Sequence, residues 1–325
     1  MINQRSHGMT GNRIAGSNIL LTFLTVFLVI SLAACGQSIE PPAPTATPAS
    51  TPTPAPTLQA GDSQHTIKVD NLDRTYLLHI PPGLESGKPS PVVIALHGFD
   101  NEHFFEVTDL QNMTGFGDIS DKNGFILVYP SGDSGFWNVG GGCCGSSADK
   151  DVNEADFMRQ IIKDIGAVAT VDPKRIYATG FSMGGMLAFR LACEMSDTFA
   201  AVAPVAGSLL YGPCQPAQPV SIMQVHGKAD TSVPYTGGLG GFMTGTFKFP
   251  PVDSTIAAWA QLDSCSSSAT TDQQGVAVHT AFPGCKAGSS VELYTIDVLG
   301  HNWPSQYVIP VSQMIWDFFK AHPKP

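Results

Sequence analysis

The peptide Gly-Phe-Ser-Met-Gly at residues 180–184 carries the most evident chemistry in this sequence. It follows the β-prone run Ile176–Thr179 and precedes the apolar, helix-prone stretch Met186–Ala192. Between a strand and a helix, glycines on both sides of a serine relieve crowding, so that a sharp turn can present the hydroxyl at the end of a sheet. The pattern predicts that Ser182 is a nucleophile.

A serine hydroxyl attacks a carbonyl only when a base removes its proton and an acid orients that base. Asp230 lies just past a run predicted to be a buried strand, and His301 follows the last predicted strand. For any one of the nine histidines, a surface or core position is the simpler interpretation. The order Ser, Asp, His, with each residue behind a strand, outweighs that alternative and predicts a catalytic triad of Ser182, Asp230 and His301.

Attack on a carbonyl also develops negative charge on its oxygen, and each backbone N–H that stabilises this charge is worth about 3 kcal/mol. The N–H of Met183, directly after the serine, is expected to be one donor. The second donor is expected in the loop after an early central strand, where Leu-His-Gly-Phe stands at residues 96–99. The N–H of Phe99 is the preferred candidate and that of Gly98 the less favoured one; a plain core position is the alternative for Phe99.

The elements that must position these groups alternate between β-rich runs and helical stretches from about residue 62 to the end. Residues 66–69 and 76–80 alternate like an antiparallel edge pair. Six runs are typical of strands buried on both faces: Val92–Leu96, Phe125–Tyr129, Ile176–Thr179, Ala200–Pro204, Ile222–Val225 and Val291–Ile296. The clearest helix is Asn153–Ala169. The predicted fold class is α/β, a mostly parallel central sheet with helices on both faces.

Composition and charge restrict the partners. The 325 residues are 43% hydrophobic and 14% charged, which is too apolar for a disordered chain and sufficient for one large core. The net charge of −10 is spread thinly and would repel polyanions, which argues against nucleic-acid binding. The cysteines lack metal-type spacing. Asp149, Asp151 and Glu154 are interpreted as a solvated acidic stretch that caps the following helix rather than as a cation site.

The first 34 residues are typical of an export signal, because two arginines precede the apolar run Ile19–Ile30, which is short for a membrane span. The run closes with Leu-Ala-Ala-Cys at residues 32–35, which resembles the bacterial lipobox. In that motif, cleavage falls before the cysteine and the sulfur receives a diacylglycerol. We expect lipidation of Cys35 and an extracytoplasmic location on the cell envelope; an ordinary signal peptide and a secreted chain are the alternative.

Residues 41–57 contain only Pro, Ala, Thr and Ser, a composition that prefers extended polyproline-type conformations. At about 3.1 Å per residue, this stretch would hold a domain roughly 50 Å from a bilayer. The predicted organisation is therefore a tether over residues 35–61 and a single catalytic domain over residues 62–325. Membrane contact is expected through the lipid anchor only.

Seven cysteines in an exported chain leave one sulfur without an intramolecular partner, and lipidation of Cys35 accounts for it. The other six are expected to be oxidised. Cys265 and Cys285 flank a polar segment before the last strand and form the preferred pair. The remaining four would form two bridges of undetermined connectivity: Cys143, Cys144, Cys193 and Cys214.

Six motifs, considered together, resemble one known family. They are His-Gly at 97–98, Trp-Asn-Val at 137–139 with Cys-Cys at 143–144, Gly-Phe-Ser-Met-Gly-Gly at 180–185, Phe199–Gly207, His-Gly-x-x-Asp at 226–230 and Gly-His-x-Trp-Pro at 300–304. The resemblance is to the secreted polyhydroxybutyrate depolymerase and feruloyl esterase family, which includes carbohydrate esterase family 1 and LpqC-like lipoproteins. It implies an α/β-hydrolase fold, Ser182 as nucleophile, His301 as general base and acid, Asp230 as its orienting partner, and no metal or organic cofactor.

The resemblance also implies the reaction. We expect a serine carboxylic-ester hydrolase that acts through an acyl-enzyme on feruloyl or acetyl esters of plant cell-wall polysaccharide such as xylan. Hydrolysis of polyhydroxybutyrate or its oligomers is the closest alternative. A serine peptidase and a catalytically inactive binding lipoprotein are the weaker ones. The chain is expected to be a monomer.

Aromatic residues near the motifs suggest the walls of a substrate cleft. Trp137, Tyr235 and Trp303, together with Phe99, would offer flat apolar surfaces to an aromatic acyl group or a polyester. Core packing is the alternative for each of them. The glycine-rich segment 237–249 is interpreted either as a mobile flap over the cleft or as an inert surface loop.

Overall fold

The computed structural model describes residues 59–99, 107–241 and 247–325. The predicted export signal, the lipidation site Cys35 and nearly all of the predicted tether lie outside these residues, as does the centre of segment 237–249. Among the helices that are described, none has both the length and the apolar character needed to pass through a bilayer.

The described residues contain the following strands, in chain order: β1 (Gly61–Val69), β2 (Leu72–Ile80), β3 (Ser90–Leu96), β4 (Ile126–Pro130), β5 (Val171–Phe181), β6 (Ala201–Val205), β7 (Ser221–Gly227), β8 (Gly238–Leu239), β9 (Lys248–Phe249), β10 (Thr270–Gln274), β11 (Ala277–Phe282) and β12 (Val291–Ile296). Ten of them form one sheet in the order β1-β2-β4-β3-β5-β6-β7-β12-β11-β10, while β8 pairs with β9. The six central strands, which are β4, β3, β5, β6, β7 and β12 in their order across the sheet, run parallel. The outer strands β2 and β1 on one side, and β11 and β10 on the other, are antiparallel to their neighbours.

The described helices lie against both faces of this sheet. They are α1 (Val107–Thr114), α2 (Phe116–Asn123), α3 (Ser146–Asp149), α4 (Glu154–Val168), α5 (Met183–Glu194), α6 (Val252–Leu262) and α7 (Val311–Ala321). One buried apolar cluster joins the sheet to α4, α5 and α6, and a second joins the opposite face to α1, α2 and α7. The predicted α/β class, with helices on both faces of a mostly parallel sheet, is confirmed.

Local sequence signals account for the boundaries of α4. The side chain of Asn153 accepts a hydrogen bond from the backbone N–H of Asp156 at 3.0 Å, which caps the first turn. The buried face of the helix carries Phe157, Ile161 and Ile165, as the apolar spacing indicates. By contrast, the hairpin β10–β11 is absent from the sequence prediction, because the β10 residues are all exposed and polar and therefore show no apolar alternation.

Three disulfides are formed within the described residues. Cys265 bonds to Cys285, which is the pair preferred from the sequence. The sequence left the pairing of the other four cysteines open. In the structure, Cys143 bonds to Cys144 and Cys193 bonds to Cys214. Cys265 follows α6, and Cys285 lies between β11 and β12, so the bridge links the end of α6 to the segment before β12.

The prediction of a solvated acidic stretch is wrong for Glu154, although Asp149 and Asp151 are exposed. Glu154 is completely buried, and its Oε2 lies 3.0 Å from Nη2 of Arg74, which is 3% exposed. Burial raises the pKa of Glu154, while Arg74 and the N–H of Asn138 oppose that rise. The partner comes from strand β2, so local sequence around the helix start cannot reveal it.

The buried pair of Arg74 and Glu154 is expected to contribute strongly to stability. Arg74→Met leaves a carboxylate buried without its cation, so we expect the free energy of unfolding to fall by about 3–5 kcal/mol. Adding Glu154→Gln removes the charge, keeps an acceptor for Asn138, and should recover part of the loss. Urea unfolding checks this, with Lys68→Met in an exposed ion pair as the near-neutral control. Strictly additive losses in the double variant would contradict the charge explanation.

A second buried carboxyl predicts a pH dependence. Asp263, at the end of α6, is fully buried, and its Oδ1 accepts the N–H of Val220. Burial raises the pKa of Asp263 from 3.8 to about 6, although hydrogen bonds from Ser289 and Val220 act in the opposite direction. The folded state therefore holds this proton more tightly than the unfolded chain does.

The direction in which stability changes with pH follows from that difference in pKa. As pH rises from about 4 to 6, the unfolded carboxyl ionises first, so wild-type stability falls, and the loss is complete above pH 6. Asp263→Asn cannot ionise, so its free energy of unfolding relative to wild type should increase by up to about 3 kcal/mol between pH 4 and pH 8. Denaturant unfolding at several pH values measures this. A difference independent of pH would contradict the prediction.

Candidate active site

Ser182, Asp230 and His301 lie together at the carboxyl ends of three parallel strands of the sheet. Ser182 lies between β5 and α5, Asp230 lies in the turn after β7, and His301 lies in the loop after β12. His301 Nε2 is 2.8 Å from Ser182 Oγ, and His301 Nδ1 is 2.8 Å from Asp230 Oδ2. The residues predicted to form a triad are thus joined by two hydrogen bonds.

The hydrogen bonds set the proton positions on His301. A carboxylate oxygen can only accept, so Nδ1 carries the proton that it donates to Asp230. Nε2 is then the acceptor for the Ser182 hydroxyl. Burial tends to raise the pKa of the Asp230 carboxyl, but hydrogen bonds from His226 and His301 outweigh burial and hold that pKa well below its usual range. The arrangement therefore places a general base on the serine hydroxyl and a permanent negative charge behind the base.

The turn at Ser182 has the backbone strain expected of a nucleophile elbow. Its φ is 55° and its ψ is −117°, in a region that costs a non-glycine residue about 1–3 kcal/mol. The serine is 3% exposed. A Cβ added to Gly184 would overlap the carbonyl oxygens of Leu96 and His97. Glycine is thus required where the first turn of α5 lies directly against the end of β3.

The candidate oxyanion donors lie on two sides of Ser182. The N–H of Met183 belongs to the first turn of α5, where backbone donors have no acceptor within the helix. The loop that carries Phe99 passes close by, since a Cβ on Gly98 would lie 3.4 Å from Ser182 Cβ. The Phe99 ring is half-buried and packs on Phe136, with ring centroids 4.8 Å apart. The oxyanion role of the two N–H groups stays a prediction.

The acid is held by its own turn. Asp230 Oδ1 accepts the N–H groups of Ser232 at 2.9 Å and of Val233 at 2.8 Å. Its Oδ2 faces His301 and also lies 3.4 Å from Nε2 of His226. Asp230 is 4% exposed, so these donors replace the water that would otherwise solvate the charge.

Two buried residues that the sequence analysis did not assign to the site, Gln224 and His226, complete this support. His226 Nε2 lies 2.9 Å from the carbonyl oxygen of Val233 and must carry a proton to bond there. His226 Nδ1 is then an acceptor, and it lies 3.2 Å from Nε2 of Gln224, which also donates to the carbonyl of Gly207. Gln224 therefore fixes the tautomer that lets His226 donate toward Asp230. The His-Gly-x-x-Asp motif contained this histidine, but the direction of its side chain was not readable.

The prediction that Trp137 lines a substrate cleft is wrong. Trp137 is completely buried, and its indole N–H donates to the carbonyl of His97 at 3.0 Å. Its ring also packs on the His97 ring, with centroids 4.8 Å apart. Trp137 therefore supports the loop beside Ser182 from inside the core, which is the alternative that the sequence left open.

The other aromatic candidates lie in different settings. Trp303 is 7% exposed, donates to Ser312 Oγ at 3.2 Å, and forms part of the wall of a cavity between two helices. Tyr235 is half-buried and donates its hydroxyl to Asp253. In segment 237–249, β8 and β9 pair and Phe249 is buried, so the base of this segment is anchored. Its role as flap or inert loop stays a prediction.

A second Ser–His–Asp grouping has the same side chains as the candidate site but a different backbone setting. Ser63 Oγ lies 3.0 Å from His65 Nε2, and His65 Nδ1 lies 3.5 Å from Asp164 Oδ2. Ser63, however, is exposed within the regular strand β1, whereas Ser182 stands at a strained turn in front of helical N–H groups. Of these two serines, Ser182 is the one that lies next to both a histidine base and the predicted oxyanion donors.

The sheet order and the elbow define an α/β-hydrolase fold. Residues 74–281 match the model of the family described as Esterase PHB depolymerase, and the chain belongs to that family. Feruloyl esterase B of Piromyces equi is 30% identical over 78% of this chain and 46% of its own length. A bifunctional acetylxylan esterase/xylanase of Neocallimastix patriciarum is 28% identical over 70% and 31%, respectively. The chain thus spans less than half the length of these two relatives.

Solved structures agree on the fold. An acetyl xylan esterase from Aspergillus awamori superimposes with a TM-score of 0.58 at 16% identity, over 80% of this chain and 99% of that one. At this level of identity the likeness concerns the architecture alone.

The geometry predicts which serine reacts with an active-site probe. A fluorophosphonate should label the folded protein once, at Ser182, because its hydroxyl is hydrogen-bonded to His301 Nε2 and lies in front of the predicted oxyanion donors. Ser182→Ala should abolish labelling, and the matched control Ser63→Ala should retain it in full. Intact-mass and peptide mass spectrometry make the measurement. Persistent labelling of Ser182→Ala would show that another nucleophile is active.

Proposed function

We propose that this protein is a serine esterase that hydrolyses carboxylic esters through an acyl-enzyme. The observation that carries the proposal is the hydrogen-bonded series Ser182, His301, Asp230 at the strained turn before α5. Membership of the Esterase PHB depolymerase family supports it.

In the first half of the reaction, Ser182 Oγ attacks the ester carbonyl carbon while His301 Nε2 accepts the hydroxyl proton. The N–H groups of Met183 and Phe99 receive the negative oxygen of the tetrahedral intermediate. Asp230 stabilises the imidazolium that has formed. The intermediate collapses when the bond to the alkoxy group breaks and His301 returns its proton to that oxygen. The alcohol leaves, and the acyl group stays on Ser182.

The second half repeats these steps with water. His301 takes a proton from a water molecule as its oxygen attacks the acyl carbon, and the second tetrahedral intermediate uses the same donors. When the bond to Ser182 Oγ breaks, His301 gives the proton back to the serine. The carboxylic acid is released and the site is restored.

We infer feruloyl or acetyl esters of plant cell-wall polysaccharide, such as xylan, as the substrates. Support comes from the relatives named as a feruloyl esterase and as an acetylxylan esterase/xylanase. Polyhydroxybutyrate oligomers are the second candidate, because the matching family model carries that polymer in its description. Both reactions would use the same three residues and differ in the surrounding surface.

Export from the cytoplasm is part of the same proposal. Three disulfides within the described residues fit an oxidising compartment. The lipidation of Cys35 and the tether, which lie outside the described residues, would retain the domain at the cell envelope. This location suits hydrolysis of a polymer that cannot enter the cell.

A substrate panel tests the proposed reaction. We expect the purified protein to hydrolyse methyl ferulate, p-nitrophenyl acetate and acetylated xylan, and Ser182→Ala to lose at least about a thousandfold in kcat because the nucleophile is gone. Ferulate and acetate release are followed by chromatography, and a hydroxybutyrate polymer emulsion is followed by clearing. Clearing of the emulsion without ferulate or acetate release would favour the second candidate. No hydrolysis of any ester by folded protein would overturn the proposal.

A further inference from the structure

A cavity of about 490 Å³ opens next to the loop that carries His301. One wall is formed by the end of α1 and the start of α2, and the other by residues 303–307 and the first turn of α7. Trp303 and Val311, both buried, contribute to the wall of the cavity. No residue of the proposed triad lines this cavity, so it is separate from the site and is connected to it through the loop that carries both His301 and Trp303.

The cavity combines an aromatic ring with exposed polar side chains. Tyr307 is 91% exposed, although a turn holds its neighbours: Val308 and Ile309 donate to the carbonyl of Ser305, and Ile309 is buried. The exposed polar residues of the lining are Asn112, Asp118, Lys122, Ser305 and Gln306. A flat ring beside amide, hydroxyl and carboxylate groups matches a sugar ring, which has apolar C–H faces and a rim of hydroxyls.

The hydrogen-bonding groups of the lining suit a sugar better than a polyester. A carboxylate such as Asp118 can only accept hydrogen bonds, and the repeating unit of a hydroxybutyrate polyester offers only acceptors. Sugar hydroxyls both donate and accept, so they satisfy Asp118 as well as the donors of Asn112 and Gln306. The lining therefore favours a carbohydrate chain over the polyester.

The position of the cavity agrees with the direction of the proposed reaction. His301 protonates the departing alkoxy oxygen, so the alcohol part of the ester leaves on the His301 side of the site. In a polysaccharide ester, that alcohol is a sugar unit. Trp303, which lines the cavity, follows His301 closely in the same loop.

We propose that the cavity between the α1–α2 segment and residues 303–313 binds neutral sugar units of the polysaccharide that carries the ester. This inference rests on the proposed esterase function for its role and extends it by assigning the alcohol side of the substrate to named residues. Tyr307 supplies the stacking surface, and Asp118, Asn112 and Gln306 supply polar contacts.

Kinetics on two esters that share one acyl group test the assignment. The ratio of KM for a feruloylated arabinoxylan oligosaccharide to KM for methyl ferulate should rise about five- to tenfold in Tyr307→Ala. Tyr307→Phe keeps the ring and should keep most of the ratio. Val298→Ala is the matched control, since Val298 is 88% exposed in the same loop but does not line the cavity.

A binding measurement separates this inference from the proposed function. Ser182→Ala should bind unesterified xylo-oligosaccharide saturably in titration calorimetry. Adding Tyr307→Ala should weaken that binding about five- to tenfold, the factor by which the KM ratio rises. If esters are hydrolysed but the KM ratio does not change in Tyr307→Ala, the cavity assignment is overturned and the esterase stands. A rise in KM for a hydroxybutyrate trimer instead would also overturn it. Sugar binding without ester hydrolysis would overturn the esterase alone.

Discussion

Direct contact between backbones at the start of α5 is the constraint on which the site depends. Gly184 lies against the carbonyl oxygens at the end of β3, and Gly185 lies against Gly207 after β6. No side chain separates these segments. As a result, α5 begins directly after the end of β5. The backbone at Ser182 takes its strained conformation because a longer connection between strand and helix has no room. Ser182 and the first-turn N–H groups of α5 are therefore positioned by backbone packing.

The parallel strands explain how three groups that are far apart in the sequence meet at the candidate site. Parallel strands end at one edge, so each turn after β5, β7 and β12 delivers one group to that edge. The grouping of Ser63, His65 and Asp164 has the same side chains on an open strand and lacks this backbone setting. Side-chain composition alone thus does not distinguish a reactive serine from a surface hydrogen bond.

Much of the architecture was predictable from local patterns. The buried strands appear as apolar runs, α4 has an amphipathic face with an Asn153 cap, and glycines mark the turn at Ser182. These features were readable because each depends on a few consecutive residues. The order Ser182, Asp230, His301 was informative because each residue follows a strand.

Features that depend on distant partners were not predictable. Glu154 has the local sequence setting of a surface cap, but its partner Arg74 belongs to β2 and lies against it in the interior. Trp137 has the composition of a ligand surface, but the carbonyl of His97 holds it in the core. The β10 strand is polar because it lies at the sheet edge, and no periodicity marked it. For Glu154 and Trp137 the deciding contact joins residues far apart in the chain, whereas β10 pairs with the neighbouring strand β11 and lacks only a local apolar signal.

The parallel pairing of β7 with β12 has a consequence for how such a protein can change over evolution. Gly227 stands opposite Ile296 in the register, and there is no room for a Cβ on Gly227 because the Leu299 carbonyl lies against it. Asp230 and His301 are thus kept together by a short stretch of sheet, while α6, both disulfide-linked cysteines 265 and 285, and the β10–β11 hairpin lie between them in the chain. Within that segment the β10 residues are all exposed, so changes there alter the surface beside the two turns without touching the pairing of β7 with β12.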